Sequence, residues 1–186
     1  GRQRISPGPL PPAVRAIRDP ADLPDLRGVI AAGEKCSAAI VRTWAPGRRF
    51  FDAYGPTETT VCASMALCDP ADPRDPPIGR PIGNSQLFIV DSNLQPVPIG
   101  VPGELLIGGL NVGRGYLNRP ELTAERFIPN PFPHPRPVQS PPVEGLSQRE
   151  RGAGQWEREE AASGADLVYR TGDLTRVLSR DKCACG

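Results

Sequence analysis

A short polar run directly after an aromatic stretch holds the side chains best suited to chemistry. Tyr54 ends the aromatic stretch, a Gly-Pro pair makes a turn, and Thr57 and Glu58 follow it. A tyrosine ring can stack on a flat heterocycle, and a threonine hydroxyl can donate to a phosphate. A single hard carboxylate suits Mg²⁺ that is bound to that phosphate. The run therefore indicates a nucleotide site, and a strand-to-loop turn capped by threonines is the simpler alternative.

Two further positions have the chemistry to contact a nucleotide. Asp173 follows a turn after a predicted short strand at residues 167–171. A carboxylate there can accept hydrogen bonds from both hydroxyls of a ribose, although an aspartate that only shapes the turn has the same pattern. Gly33 ends another apolar stretch, where a backbone without a side chain can approach a ligand closely.

The first third of the chain predicts the elements that would position these groups. Residues 26–32 and 50–54 are typical of buried strands, and Ser37 is a good N-cap for a helix that ends at Trp44. Residues 13–18 predict a short additional helix. This alternation of strand and helix indicates an α/β layer, in which ligands bind beyond the carboxyl ends of the strands.

The pattern changes after residue 79, where the helical period disappears. Short strands are predicted over residues 86–91, 103–108 and 167–171, and Pro120 suits the first turn of one intervening helix. Such strands indicate a small β-barrel or a folded sheet. We expect a subdomain boundary between residues 67 and 80.

Residues 133–166 have the composition of a disordered insert. They combine dense proline with glycine, serine and charged runs, and offer little apolar surface to offset the entropy of ordering. We expect this insert to be dispensable to the fold and to be cut first by proteases. The predicted organisation is the end of an α/β subdomain (1–70), a β-barrel-like subdomain (71–132 and 167–186) and the insert.

Composition excludes several classes of function. The 186 residues carry a net charge of +1, which favours neither nucleic acid nor a membrane surface as a partner. No apolar run approaches the roughly 20 residues of a membrane span, and no signal peptide is visible, so we expect a cytoplasmic location. Five cysteines without a regular spacing argue against a disulfide scaffold. Cys183 and Cys185 are at best half of a metal site.

Four motifs in a fixed order give the chain a specific resemblance. It is similar to the adenylation domains of nonribosomal peptide synthetases, within the AMP-dependent synthetase and ligase superfamily. The resemblance implies a fragment of a large N-terminal domain, in which α/β layers precede a distorted β-barrel. The motifs are YGPTETT at residues 54–60, GELLIGGLNVGRGYL at 103–117, RPELTAERF at 119–127 and YRTGDL at 169–174.

The resemblance also implies a reaction. A carboxylate and ATP give an acyl-adenylate and pyrophosphate, and the acyl group then passes to a phosphopantetheine thiol on a peptidyl carrier domain. By position, Tyr54 would stack on adenine and Asp52, where the family often has Asn, would accept from its exocyclic amine. Thr57 and Glu58 would be the catalytic residues, the first at the α-phosphate and the second on Mg²⁺. Asp173 would hold the ribose.

The same correspondence places a pocket for the side chain of the carboxylic substrate. Its predicted lining is small or apolar throughout, so a charged substrate side chain would be buried without a partner. We therefore expect a small carboxylic acid, specifically an apolar amino acid. The predicted lining residues are Ile30, Ala32, Ala53, Val61 and Cys62.

The 186 residues depart from the family pattern in what they do not contain. The phosphate-binding loop, the hinge motif and the C-terminal domain with its catalytic lysine are not found in them. We expect this polypeptide alone to form no adenylate at a useful rate, because such electrostatic groups stabilise the transition state. An acyl-CoA or aryl-CoA ligase, a non-catalytic nucleotide-binding fragment and a bare interaction module are the alternatives.

Overall fold

Two five-stranded sheets make up the part of the chain that the structure describes. The computed structural model describes residues 9–10, 19–132, 167–179 and 182–185. The predicted helix at residues 13–18 and the predicted insert at 133–166 lie outside them. Within the described residues, the first sheet is complete before the second begins.

The first sheet mixes parallel and antiparallel pairing. Its order follows the sequence, with the first three strands parallel to one another and the last two antiparallel. The predicted strands at 26–32 and 50–54 are confirmed with shifts of one or two residues. The strands are β1 (Pro9–Leu10), β2 (Gly28–Ala32), β3 (Arg49–Tyr54), β4 (Ser64–Leu67) and β5 (Arg80–Pro81).

One helix covers a face of this sheet. Helix α1 (Ala38–Trp44) begins where predicted, and the Ser37 hydroxyl accepts a hydrogen bond from the Ile40 amide at 3.4 Å. The Trp44 side chain is buried in the same apolar cluster as Phe50 of β3. The helix therefore packs on the sheet through its apolar face.

The second sheet is antiparallel throughout. Its order is β10-β9-β7-β6, with β8 also paired to β9, and helix α2 (Pro120–Arg126) precedes β8. Within the described residues this sheet stays open, so it agrees with the folded-sheet form of the prediction and not with a closed barrel. The strands are β6 (Ser85–Val90), β7 (Gly103–Gly109), β8 (Phe127–Pro129), β9 (Leu167–Ser179) and β10 (Lys182–Cys185).

The central strand of the second sheet is buried on both faces. Leu105 and Ile107 of β7 pack in a cluster with Ala63, which lies directly before β4 of the first sheet. Leu106 points the other way, into a cluster with Val168. Ala63 therefore ties the chain that follows β3 to the core of the second sheet.

Strand β9 corrects a prediction from the sequence. The sequence pattern predicts an end at residue 171, with Asp173 beyond the strand, but β9 continues to Ser179. Gly172 has a φ of +77°, and the pairing of β7 with β9 shifts register between Glu104 and Leu106. A glycine in this conformation lets the strand bulge and resume, so Asp173 lies at an irregularity within a strand.

The change from one sheet to the other falls after β5. Arg80 and Pro81 still pair with β4, and the second sheet begins at Ser85. The predicted boundary between residues 67 and 80 lies earlier, and the division into subdomains stays a prediction. Among the described residues, no helix combines the length and apolar character that a membrane span needs.

Candidate functional site

Two predicted site residues share one edge of the first sheet. Strands β2 and β3 are parallel, with Ala32 opposite Ala53. Gly33 and Tyr54 therefore lie side by side at the carboxyl ends of the two strands. Gly33 has a φ of +87°, which favours glycine, and nothing lies within 4 Å of where its side chain would project.

A tight loop follows Tyr54. A Cβ added to Gly55 would lie 2.7 Å from the backbone nitrogen of Ala63, and that nitrogen donates to the Tyr54 carbonyl at 2.8 Å. Thr60 and Val61 both have a positive φ, of 55° and 71°. Such conformations cost roughly 1–3 kcal/mol each in a non-glycine residue and persist only where the surroundings impose them.

The second sheet supplies those surroundings. The side-chain amide nitrogen of Asn111 donates to the Thr59 carbonyl at 3.2 Å, and the Thr60 hydroxyl donates to the backbone carbonyl of Asn111 at 2.8 Å. The Gly113 amide donates to the Glu58 carbonyl at 2.7 Å. The segment after β7 thus holds the polar run in its strained form.

Glu58 is held by a tyrosine. The Tyr116 hydroxyl donates to Oε1 of Glu58 at 2.6 Å, and the Tyr169 hydroxyl lies 3.5 Å from that of Tyr116. Burial acts to raise the pKa of Glu58, but the hydroxyls and the charge of Arg126 outweigh it, and the pKa lies below its usual value. Glu58 is therefore a carboxylate at neutral pH. Burial and the bond to Glu58 raise the pKa of Tyr116, which stays a phenol.

A second tyrosine joins the first motif to the last. The Tyr54 hydroxyl donates to Oδ2 of Asp173, which lies 119 residues further along the chain. The Asp173 amide donates to the Thr171 hydroxyl at 2.9 Å, which fixes the bulge in β9. The ring and the carboxylate that the sequence assigned to one nucleotide are therefore neighbours.

An open pocket of about 400 Å³ lies beside Asp173. Arg170 spans one wall and donates to both carboxylate oxygens of Glu104, at 3.2 and 2.6 Å. The remaining walls come from α2 and the bulge. The lining residues are Glu104, Glu125, Arg126, Arg170, Gly172, Asp173 and Leu174.

The other two predicted nucleotide contacts differ in exposure. Asp52 is 7 % exposed and lies two residues before Tyr54, so both side chains are on one face of β3. Burial, and secondly the negative charge of Asp52, raise the pKa of the Cys68 thiol to about 11, which places that carboxylate near Cys68. Thr57 is exposed at the start of a 3-10 helix, Thr57–Thr59.

The structure brings part of the predicted substrate pocket together. Because Ala32 pairs with Ala53 and side chains alternate along a strand, Ile30 shares their face of the sheet. Cys62 is partly buried, and its thiol donates to the Ser64 carbonyl at 3.4 Å. The Val61 side chain is 67 % exposed. Three of the five lining residues thus form a common surface.

Sequence reasoning placed Tyr116 and Tyr169 within motifs but gave neither a role, and it did not single out Asn111. A signal for the tyrosines was present. The chain has only three tyrosines, each in a different one of the four motifs. Tyr54 bonds to Asp173, Tyr116 bonds to Glu58, and the Tyr169 hydroxyl lies next to that of Tyr116.

The family profile described as AMP-binding enzyme matches residues 9–117, which is more than half of the chain. The chain belongs to the AMP-binding enzyme family. The chain is 56 % identical over 174 residues to one of the linear gramicidin synthase proteins of Brevibacillus parabrevis. It is 48 % identical over 130 residues to novobiocin biosynthesis protein H of Streptomyces niveus.

These matches cover most of the chain but little of the relatives. The first covers 94 % of the chain and 3 % of the gramicidin synthase protein, and the second covers 69 % and 21 %. The chain therefore spans a small part of the curated relatives it matches.

Solved structures show the same fold. The N-terminal subdomain of NpsA from Klebsiella oxytoca, in complex with 3-hydroxybenzoyl-AMSN, matches with a TM-score of 0.73 and 20 % identity. That match covers 98 % of this chain and 41 % of the other. PA1221, an NRPS protein containing adenylation and PCP domains, matches with a TM-score of 0.71 and 21 % identity, over 96 % and 32 %. The predicted fold, part of a large N-terminal domain, is confirmed.

Proposed function

We propose that this chain forms part of an AMP-forming ligase of nonribosomal peptide synthesis. The ligase would activate a small carboxylic acid as an acyl-adenylate and pass the acyl group to a phosphopantetheine thiol. The single observation that carries this proposal is the hydrogen bond from Tyr54 to Asp173. It places a stacking ring next to a carboxylate that can hold hydroxyls, as an adenosine requires.

The nucleotide would lie along the carboxyl edge of the first sheet. The Tyr54 ring would stack on adenine, and the backbone at Gly33 would approach the nucleotide without obstruction. Asp52 would accept from the exocyclic amine and Asp173 from the ribose hydroxyls. Thr57 is exposed just beyond the edge, where its hydroxyl can donate to the α-phosphate.

Glu58 fits Mg²⁺. It is ionised at neutral pH, and a carboxylate oxygen is the kind of ligand that a hard cation prefers. A bound Mg²⁺ would neutralise charge on the phosphates while the substrate carboxylate oxygen forms its bond to the α-phosphorus and pyrophosphate leaves. The chain's own part in that step is to hold the Glu58 carboxylate in place.

The substrate would be an apolar amino acid, and the acceptor would be carried by a peptidyl carrier domain. The apolar surface of Ile30, Ala32 and Ala53 supports the first part, because it has no partner for a charged side chain. The fold likeness to PA1221, which contains a PCP domain, supports the second. We place the reaction in the cytoplasm, where ATP is supplied.

Calorimetric titration of the 186-residue chain with ATP and Mg²⁺ tests the proposal. We expect saturable binding, weakened by about tenfold or more in Asp173→Asn because the ribose hydroxyls lose an ionic acceptor. Asp22→Asn changes an exposed aspartate of the 3-10 helix Pro20–Asp22 in the same way and should bind as the wild type does. No saturation, or equal affinities for the wild type and Asp173→Asn, would contradict the proposal.

Exchange of labelled pyrophosphate into ATP tests the expectation that this polypeptide alone does not form the adenylate. With an apolar amino acid present, we expect exchange at background, because the phosphate-binding loop and the catalytic lysine of the family are not among these 186 residues. Exchange above background that disappeared in Glu58→Ala would show that the 186 residues suffice.

A further inference from the structure

Glu58 accepts two hydrogen bonds from the connection between β7 and α2. Its carbonyl oxygen accepts from the Gly113 amide at 2.7 Å, and its Oε1 accepts from the Tyr116 hydroxyl at 2.6 Å. Both donors lie in the connection between β7 and α2. The backbone and the side chain of Glu58 are thus positioned by the same structural unit.

Tyr116 is itself held in place. Its amide donates to the Thr123 hydroxyl of α2 at 2.9 Å, and its ring makes a T-shaped contact with Phe127, with centroids 5.4 Å apart and planes at 77°. The Tyr169 hydroxyl lies 3.5 Å from the Tyr116 hydroxyl. A tyrosine with contacts at its backbone, its ring and its hydroxyl is a rigid donor.

The local structure around Glu58 leaves its side chain free to adopt several orientations unless such a donor restricts it. It sits in a 3-10 helix of three residues, directly before the left-handed Thr60 and Val61. An extended carboxylate side chain on so short an element has several rotamers, and it loses that freedom when it binds a cation. Groups that orient a metal-binding carboxylate in advance strengthen metal binding for this reason.

We propose that Tyr116 is a positioning residue for metal binding at Glu58. Its hydroxyl donates to Oε1 of Glu58 and restricts the side chain to one orientation, in which the carboxylate can bind a divalent cation. The Tyr169 hydroxyl, which lies 3.5 Å from that of Tyr116, contributes a smaller effect. This inference rests on the proposed function, because it takes Glu58 as the metal-binding carboxylate.

Manganese binding measured by electron paramagnetic resonance, with ATP present, tests the inference. In Tyr116→Phe we expect Mn²⁺ affinity to fall by about 10–100-fold, the range typical of groups that orient metal ligands. ATP affinity in EDTA should not change, because the ring and its packing remain. Tyr169→Phe is the matched variant, since it removes the same hydroxyl one ring further from Glu58, and it should show a smaller loss.

The outcomes separate this inference from the function on which it rests. Wild-type Mn²⁺ affinity in Tyr116→Phe, with ATP binding intact, would overturn the inference alone. An equal loss of ATP affinity in EDTA and of Mn²⁺ affinity would show a merely structural role for Tyr116 and would also overturn it. If the wild-type chain bound neither ATP nor Mn²⁺ with ATP, the proposed function would fall, and the inference with it.

Discussion

At the scale of single residues, two tyrosine hydroxyls donate hydrogen bonds between the sheets, one from each side. Tyr54 at the end of the first sheet donates to Asp173 in the second, and Tyr116 from the second sheet's segment donates to Glu58 beside the first. Hydrogen bonds to an ionised acceptor are stronger than neutral ones, at roughly 1.5–3 kcal/mol each. The carboxylates that the sequence assigned to ribose and metal are therefore also structural contacts between the sheets.

The Cys68 thiol gives a prediction at this scale. Burial, and after it the charge of Asp52, raise its pKa to about 11, so the thiolate is disfavoured until the pH approaches that value. At pH 8 about one thiol in 1,000 would be ionised, against roughly a quarter for a pKa near 8.5. We expect iodoacetamide at pH 8 to label Cys68 at least about tenfold faster in urea than in the folded chain. Peptide mass mapping measures both rates, and equal rates would contradict the pKa shift.

At the scale of elements, the edge of the first sheet depends on a close backbone approach. Gly79 precedes β5 with a φ of +84°, and a Cβ there would lie 2.2 Å from the Met65 carbonyl oxygen of β4. No side chain fits in that space, because the obstacle is backbone that belongs to a paired strand. The short strand β5 can therefore pair with β4 only if the residue at position 79 is a glycine.

Gly79→Ala should therefore destabilise the chain by roughly 1–3 kcal/mol, through both the clash and the positive φ. Gly83→Ala is the matched control. Nothing lies within 4 Å of a Cβ at that position, so its effect should stay within about 0.5 kcal/mol. Urea midpoints of the two variants measure the difference. A midpoint for Gly79→Ala equal to that of Gly83→Ala would show that β5 tolerates displacement.

At the scale of the whole molecule, the predicted insert connects two paired strands. Pro129 of β8 lies opposite Leu167 of β9, so the chain leaves and re-enters the sheet at adjacent points. Phe132, the last described residue before the insert, stacks on Phe88 with ring centroids 4.1 Å apart. A connection between such close ends can be short, because nothing in the paired ends requires length.

Replacement of residues 133–166 by a short Gly-Ser linker tests the predicted dispensability. We expect a melting temperature equal to or above that of the full chain, because a shorter loop loses less entropy on closure. ATP affinity should be unchanged, since no proposed nucleotide contact lies in the insert. A melting temperature lower by more than about 5 °C, which corresponds to roughly 1–2 kcal/mol, would show that the insert contributes to the fold.

The sequence by itself determined the local elements and the family. Helix α1 and its Ser37 cap, the Pro120 helix and the strands around Tyr54 follow from patterns a few residues long. Such patterns report short-range preferences, which is why these elements are predictable. The order of four motifs was likewise enough to indicate an AMP-binding enzyme, and the profile match confirms it.

Only the tertiary structure decided how these parts meet. The bulge at Gly172, which keeps Asp173 inside β9, depends on strand register. The hydrogen bond of Tyr54 with Asp173 joins residues 119 positions apart, and that of Tyr116 with Glu58 joins residues 58 positions apart. No local pattern encodes such partners, because strand pairing and side-chain packing select them after the elements form. The motifs therefore identify the residues of the site, and the contact between the two sheets determines how those residues are arranged.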